Sequence, residues 1–116
     1  MADHTNLSYL YSLADGDMDF VTEILDLMQK NIPVDIADIE NAIAMNDIQL
    51  VQRMAHRMKS TIQYSDYLDL SELLSVFEKD NSGITIAELK TFLPELKELA
   101  ENLMSLIEVE KKKIGK

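Results

Sequence analysis

Apolar residues recur every three or four positions along most of the chain, which is the spacing of one face of an α-helix. This pattern predicts a short helix over residues 6–14 and longer helices over 18–31, 47–64 and 67–79. A last helical region follows a break at 81–83. Segments with the alternating pattern of strands are nearly absent. The sequence therefore predicts an all-α fold, an antiparallel up-down four-helix bundle with a short extra N-terminal helix.

Cap residues and prolines indicate where these helices begin and end. Thr5, Asp17 and Asp66 can each cap the helix that follows them, because a short polar side chain accepts a bond from a free backbone N–H. Pro33 is expected to kink or restart the second helix, which resumes to about residue 46, since proline removes a backbone donor. Pro94 is expected to begin the main part of the last helix. In the second helix, the side chains expected to face the core are Phe20, Ile24, Leu27 and Met28.

The helix over residues 47–64 has two distinct sides. Its apolar side holds Ile48, Val51, Met54, Ala55, Met58 and Ile62. Its polar side holds Gln49, Gln52, Arg53, Lys59, Ser60 and Gln63 around His56, with no carboxylate within a helical turn. The simplest interpretation of a lone histidine is an idle surface residue. However, a displayed histidine between two cations, in a chain of net charge −10, also suits a phosphoryl group or an acidic partner.

Composition narrows the class of protein. A length of 116 residues with 47% hydrophobic content fits one domain over residues 1–116. The absence of cysteine excludes disulfide scaffolds and thiolate zinc sites. The absence of an apolar run of ~18 residues argues against a membrane span, and the polar, acidic N-terminus does not resemble a secretory signal. We therefore expect a cytoplasmic protein, and its negative charge argues against nucleic acid as a partner.

Several motifs can be rejected. Residues 80–84 hint at a calcium loop, but with Gly83 at the turn position the closing glutamate position falls on Leu89. Neither His4 nor His56 has a glutamate at the spacing of a di-metal carboxylate site. No glycine-rich phosphate loop is present, and one internal histidine supports no serine or cysteine nucleophile. We expect no metal and no cofactor.

The segment Ala55-His56-Arg57-Met58-Lys59-Ser60 resembles the phospho-acceptor motif Ala-His-x-Leu-Lys-Gly of histidine-containing phosphotransfer (Hpt) domains. The layout of residues 7–79 also looks like that family. The resemblance implies that His56 accepts a phosphoryl group and that Lys59 balances its charge. Glu78 falls where members carry a glutamine or glutamate near the histidine. Ser60 and Asp66 depart from the family, since glycine is usual at both positions, and Ser60 narrows access to the imidazole.

The same resemblance implies a role without enzymatic turnover, and it also implies the partners. Receiver domains would exchange the phosphoryl group and supply the aspartate and Mg²⁺, and a hybrid sensor kinase could stand upstream. The residues expected to contact a partner are Gln49, Gln52, Arg53, Ser60 and Gln63. We expect a monomer, and the start at Met1 and polar end at Lys116 favour a free-standing protein over a fragment of a sensor kinase. The alternative is a helical adaptor that binds a signalling partner by this face without phosphorylation, although an adaptor needs no His56–Lys59 pair.

Overall fold

A computed structural model of the chain describes residues 7–78 and 83–115. Its elements are α1 (Ser8–Ala14), α2 (Met18–Ala44), α3 (Ile48–Ile62), a 3₁₀ turn (Gln63–Ser65), α4 (Leu68–Glu78) and α5 (Ile86–Gly115). No strand occurs in these two ranges, so the all-α prediction is confirmed. The predicted Thr5 cap, and residues 79–82 with most of the predicted break, lie outside the described residues.

Side-chain caps define the beginnings of the three long helices. Asp17 and Asp47 are in extended conformation, and each carboxylate accepts a 3.1 Å hydrogen bond from the backbone N–H three residues later. Thr85 and Glu88 form a capping box before α5. The Thr85 hydroxyl accepts from the Glu88 N–H at 3.1 Å, and the Glu88 carboxylate accepts from the Thr85 N–H at 2.8 Å. The Asp17 cap is confirmed.

Both prolines lie inside helices. Pro33 therefore does not restart the second helix, while a kink at Pro33 stays a prediction, and the prediction that Pro94 begins a helix was wrong. Proline in a helix interior costs about 3 kcal/mol, through one lost hydrogen bond and a clash with the preceding turn. Burial outweighs this cost, because each buried isoleucine or leucine contributes about 1.5–3 kcal/mol. Ile32 and Ile39 are buried on either side of Pro33, and buried leucines flank Pro94 in the same way. Each helix remains continuous because both of its halves bury side chains in the core.

Two further predictions fail for local reasons. Leu27 is 47% exposed, because it lies about 120° around α2 from the stripe formed by Val21, Leu25 and Met28. Asp66 does not cap α4. It ends the 3₁₀ turn in the left-handed region, with φ of 56°, and α4 begins only at Leu68. The left-handed backbone at Asp66 also explains why glycine is usual at this position in the family that the sequence resembles.

The four longer helices pack as an up-down bundle around one apolar core. α2 and α4 each pack against both α3 and α5. Lys97 of α5 pairs with Glu40 of α2 at 2.7 Å, and Lys111 pairs with Asp26 at 2.5 Å, so α2 and α5 run antiparallel. The largest fully buried side chains include Phe77, Leu25, Met28, Ile39, Met58, Ile62, Leu74 and Leu89. Within the described residues, no helix is both long enough and apolar enough to cross a membrane.

The short helix α1 adds to one end of this bundle. It packs against α2 and the 3₁₀ turn, with Leu7 and Leu10 buried. The Tyr11 hydroxyl donates a 2.8 Å hydrogen bond to Glu110 near the end of α5. Burial, followed by the hydrogen bond and negative charge of Glu110, raises the pKa of Tyr11 to about 12. This contact therefore fixes α1 to α5 in addition to the apolar packing.

Candidate functional site

His56 is displayed near the middle of α3. Its side chain is 70% exposed, whereas Ala55 and Met58 beside it are buried. The same helix therefore buries one side in the core and presents the imidazole to solvent, as the two-sided pattern predicts. The predicted exposure of His56 is confirmed.

Glu78 contacts this imidazole from the neighbouring helix. It is the last residue of α4, and its Oε2 atom lies 2.5 Å from Nδ1 of His56. The hydrogen bond with His56, followed by the one with Lys59, holds the pKa of Glu78 below its usual value. An ionised carboxylate can only accept hydrogen bonds, so Nδ1 of His56 carries the hydrogen. In the neutral ring, the exposed lone pair is then on Nε2.

Lys59 is held against the same carboxylate. Its Nζ atom lies 3.0 Å from Oε1 of Glu78 and donates a second hydrogen bond, also 3.0 Å, to the Ser75 hydroxyl. Glu78 thus bridges His56 and Lys59 with its two oxygens. The helical period already placed Lys59 beside His56, whereas Glu78 was placed there only by the family resemblance. Ser75 was not predicted, because a lone serine in a helix carries no distinctive signal.

The predicted partner-binding residues surround His56. Gln49, Gln52 and Arg53 line an open depression together with His56 and Glu78. Gln63 and Lys59 line a second groove that also includes the exposed Leu68. Ser60 is exposed one turn after His56, and its carbonyl accepts a 3.0 Å hydrogen bond from the Gln63 amide. Gln49, Gln52, Arg53 and Ser60 thus share one side of α3 with His56, and Gln63 begins the 3₁₀ turn that follows. The role of these five residues in binding remains a prediction.

Arg57 anchors α3 to α2 behind the site. Asp35 of α2 is 2% exposed and accepts 2.8 Å hydrogen bonds from Arg57 Nε and from the Thr61 hydroxyl. Arg57 also pairs with Asp38. The hydrogen bond with Asp38, supported by Asp35, raises the pKa of Arg57 above its usual value. This network was not predicted from the sequence, although Asp35 interrupts an apolar stripe, which is the expected sign of a buried polar partner.

These contacts define the chemistry that the site can perform. Glu78 fixes the tautomer of His56, and the exposed Nε2 atom can act as a nucleophile toward a small electrophile. Arg53 and Lys59 place two cations on the same face as the imidazole, which suits an electrophile that carries negative charge. No cluster of three or more histidine, aspartate or glutamate side chains in ranges 7–78 and 83–115 could hold a metal ion.

Comparison with known proteins identifies one family. The family model of the Hpt domain matches residues 23–105, which is more than two thirds of the chain. The match includes His56, Lys59 and Glu78, whereas α1 lies outside it. Comparisons with curated proteins and with solved structures found no match.

Proposed function

The chain belongs to the Hpt-domain family, and we propose that it carries its phosphoryl group on Nε2 of His56. Hpt domains act in phosphorelays as histidine phosphotransfer proteins, with receiver domains as partners, and they are phosphoryl carriers, not catalytic enzymes. The observation that carries the assignment to His56 is the bond between its Nδ1 atom and the ionised Glu78. This bond leaves the exposed nitrogen free to react.

The atoms and charges of the proposed transfer balance, and this chain supplies neither an added proton nor a metal ligand. The Nε2 lone pair attacks the phosphorus of a receiver aspartyl phosphate, so an N–P bond forms while the P–O bond breaks. The aspartate leaves as a carboxylate, and the hydrogen on Nδ1 stays where it is. The phosphorylated ring then carries a positive charge that the Glu78 carboxylate balances. The reverse step returns the phosphoryl group to an aspartate.

Lys59 and Arg53 favour the same step electrostatically. The transferred group brings negative charge onto the surface of a protein whose net charge is −10. Lys59 contributes a cation held by Glu78, and Arg53 contributes one from the wall of the depression. Both lower the local repulsion that the rest of the surface would impose.

The proposed chemistry also indicates where a partner would bind. We expect a receiver to dock over Gln49, Gln52, Arg53, Ser60 and Gln63. The first three line the depression that contains the imidazole, and the last two are exposed beyond it, one and two turns after His56. The family's role in intracellular signalling also supports a cytoplasmic location and a hybrid sensor kinase upstream. We further propose that the chain is monomeric and forms one domain over residues 1–116.

The decisive experiment is phosphoryl transfer from a phosphorylated receiver domain to the wild-type chain and to the His56→Gln variant. Transfer to the wild type alone is expected, while circular dichroism spectra remain the same, because an exposed substitution usually changes stability by less than about 0.5 kcal/mol. Acceptance by the variant would assign the phosphoryl group to another residue. A wild-type chain that binds the receiver but takes no phosphoryl group would support the adaptor alternative.

A further inference from the structure

Ser75 lies on the face of α4 that contacts α3. The spacing of Ser71, Ser75 and Glu78, four and then three residues, places them along one side of this helix. The Ser75 hydroxyl donates to the Ser71 carbonyl at 3.1 Å and accepts from Lys59 Nζ at 3.0 Å. A hydroxyl has one hydrogen, and here the Ser71 carbonyl takes it. The Ser75 oxygen is therefore oriented as an acceptor for the lysine.

Lys59 consequently has two acceptors on one helix. A lysine side chain is long and flexible, and a single exposed ion pair fixes it poorly. The Ser75 oxygen and the Glu78 carboxylate, one turn apart on α4, together fix the ammonium group in one place. A hydrogen-bonded chain thus runs from Ser75 through Lys59 and Glu78 to the imidazole of His56.

We propose that Ser75 is a positioning residue for phosphoryl transfer, which holds the Lys59 ammonium against Glu78 beside the reacting imidazole. The proposal rests on the function proposed for His56. Ser75 does not touch the transferred group; it acts through Lys59. The charged groups that face this cluster are Lys59 and Arg53 from α3 and Glu78 from α4.

The effect of Ser75→Ala on the stability of α4 can be separated from its effect on Lys59. Alanine has the higher helix propensity, and a serine that bonds back to the carbonyl four residues earlier slightly disfavours its helix. Ser75→Ala should therefore leave α4 folded and at least as stable. Any loss of transfer rate in this variant then reports on Lys59 and not on the fold.

The test measures single-turnover transfer from a phosphorylated receiver domain. Ser75→Ala should slow transfer about threefold, the size expected when one modest hydrogen bond is lost. Ser75→Thr should restore the rate, because threonine keeps the hydroxyl, and Ser105→Ala on the exposed surface of α5 serves as the matched control. Carboxyl NMR should also show the pKa of Glu78 rising toward its usual value in Ser75→Ala, since Lys59 is held less closely.

A double-mutant cycle tests whether Ser75 acts through Lys59. In a Lys59→Ala background, Ser75→Ala should have no further effect, because contacting residues that act as a unit are not additive. An unchanged rate in Ser75→Ala, or an equal threefold loss in both backgrounds, would overturn the positioning role. Neither result bears on the acceptor, which fails only if His56→Gln still takes the phosphoryl group.

Discussion

Removing the Glu78 carboxylate should slow phosphoryl transfer and should weaken the preference of His56 for one tautomer. Glu78→Ala removes both the acceptor for Nδ1–H and the negative charge that balances the phosphorylated ring. Glu78→Gln keeps an amide oxygen that can accept from Nδ1–H but removes the charge. Comparing the two variants therefore separates orientation of the ring from electrostatic stabilisation.

The size of the effect follows from the geometry. A hydrogen bond to a charged group contributes about 1.5–3 kcal/mol net when it is shielded from water. His56 is 70% exposed, so water replaces part of the interaction and we expect about 1 kcal/mol. That free energy corresponds to a rate about fivefold lower for Glu78→Ala. Glu78→Gln should fall between this variant and the wild type.

The assay is single-turnover transfer from a phosphorylated receiver domain, together with the ring ¹⁵N shifts of His56. In the wild type, the shifts should report hydrogen on Nδ1 and a bare Nε2, and this preference should weaken in Glu78→Ala. Glu72→Ala, an exposed glutamate on the same helix, is the matched control. Wild-type rates and unchanged nitrogen shifts in Glu78→Ala would refute the coupling between Glu78 and His56.

Three further variants probe the site and its supports. Lys59→Ala should slow transfer several-fold without abolishing it, because its charge acts at a partly exposed position; complete loss would show a more specific role. Tyr11→Phe should lower the free energy of unfolding by about 0.5–1.5 kcal/mol below pH 10. The Tyr11 pKa is raised to about 12, so the neutral phenol's contribution is lost as pH rises through that value, and urea unfolding at pH 8 and 11.5 should show the gap closing; an equal gap at both pH values would contradict this. Asp35→Ala should cost about 2–3 kcal/mol in urea unfolding, since it removes the buried acceptor of Arg57, while transfer to His56 persists; an unchanged unfolding midpoint would show that the network adds no stability.

The helical period predicted the display of His56, because an amphipathic helix can bury only one of its sides. The same period did not predict that α2 continues through Pro33 and that α5 begins before Pro94. The helix propensity of proline describes only the local free-energy cost of placing it in a helix. It does not include the apolar surface that α2 or α5 buries by remaining continuous. Helix ends therefore depended on tertiary packing, which a sequence window does not contain.

The site itself was predictable only in part. Glu78 is 22 residues from His56, and only antiparallel packing of α3 and α4 brings them together, so the residues alone gave no reason to pair them. The family resemblance supplied that pairing. Ser75 has no distinctive sequence signal, whereas Asp35 has one, because a carboxylate within an apolar stripe requires a buried partner.

The proposed function depends on phosphorylation of His56 at Nε2. The most direct test is NMR of the chain after phosphorylation by a receiver domain, with ³¹P and ring ¹⁵N detection and peptide mapping of the acid-labile, base-stable phosphate. We predict one phosphohistidine, at His56, with phosphorus bonded to Nε2 and hydrogen retained on Nδ1. Phosphorus on Nδ1, on His4 or on a carboxylate would contradict the assignment to Nε2 of His56.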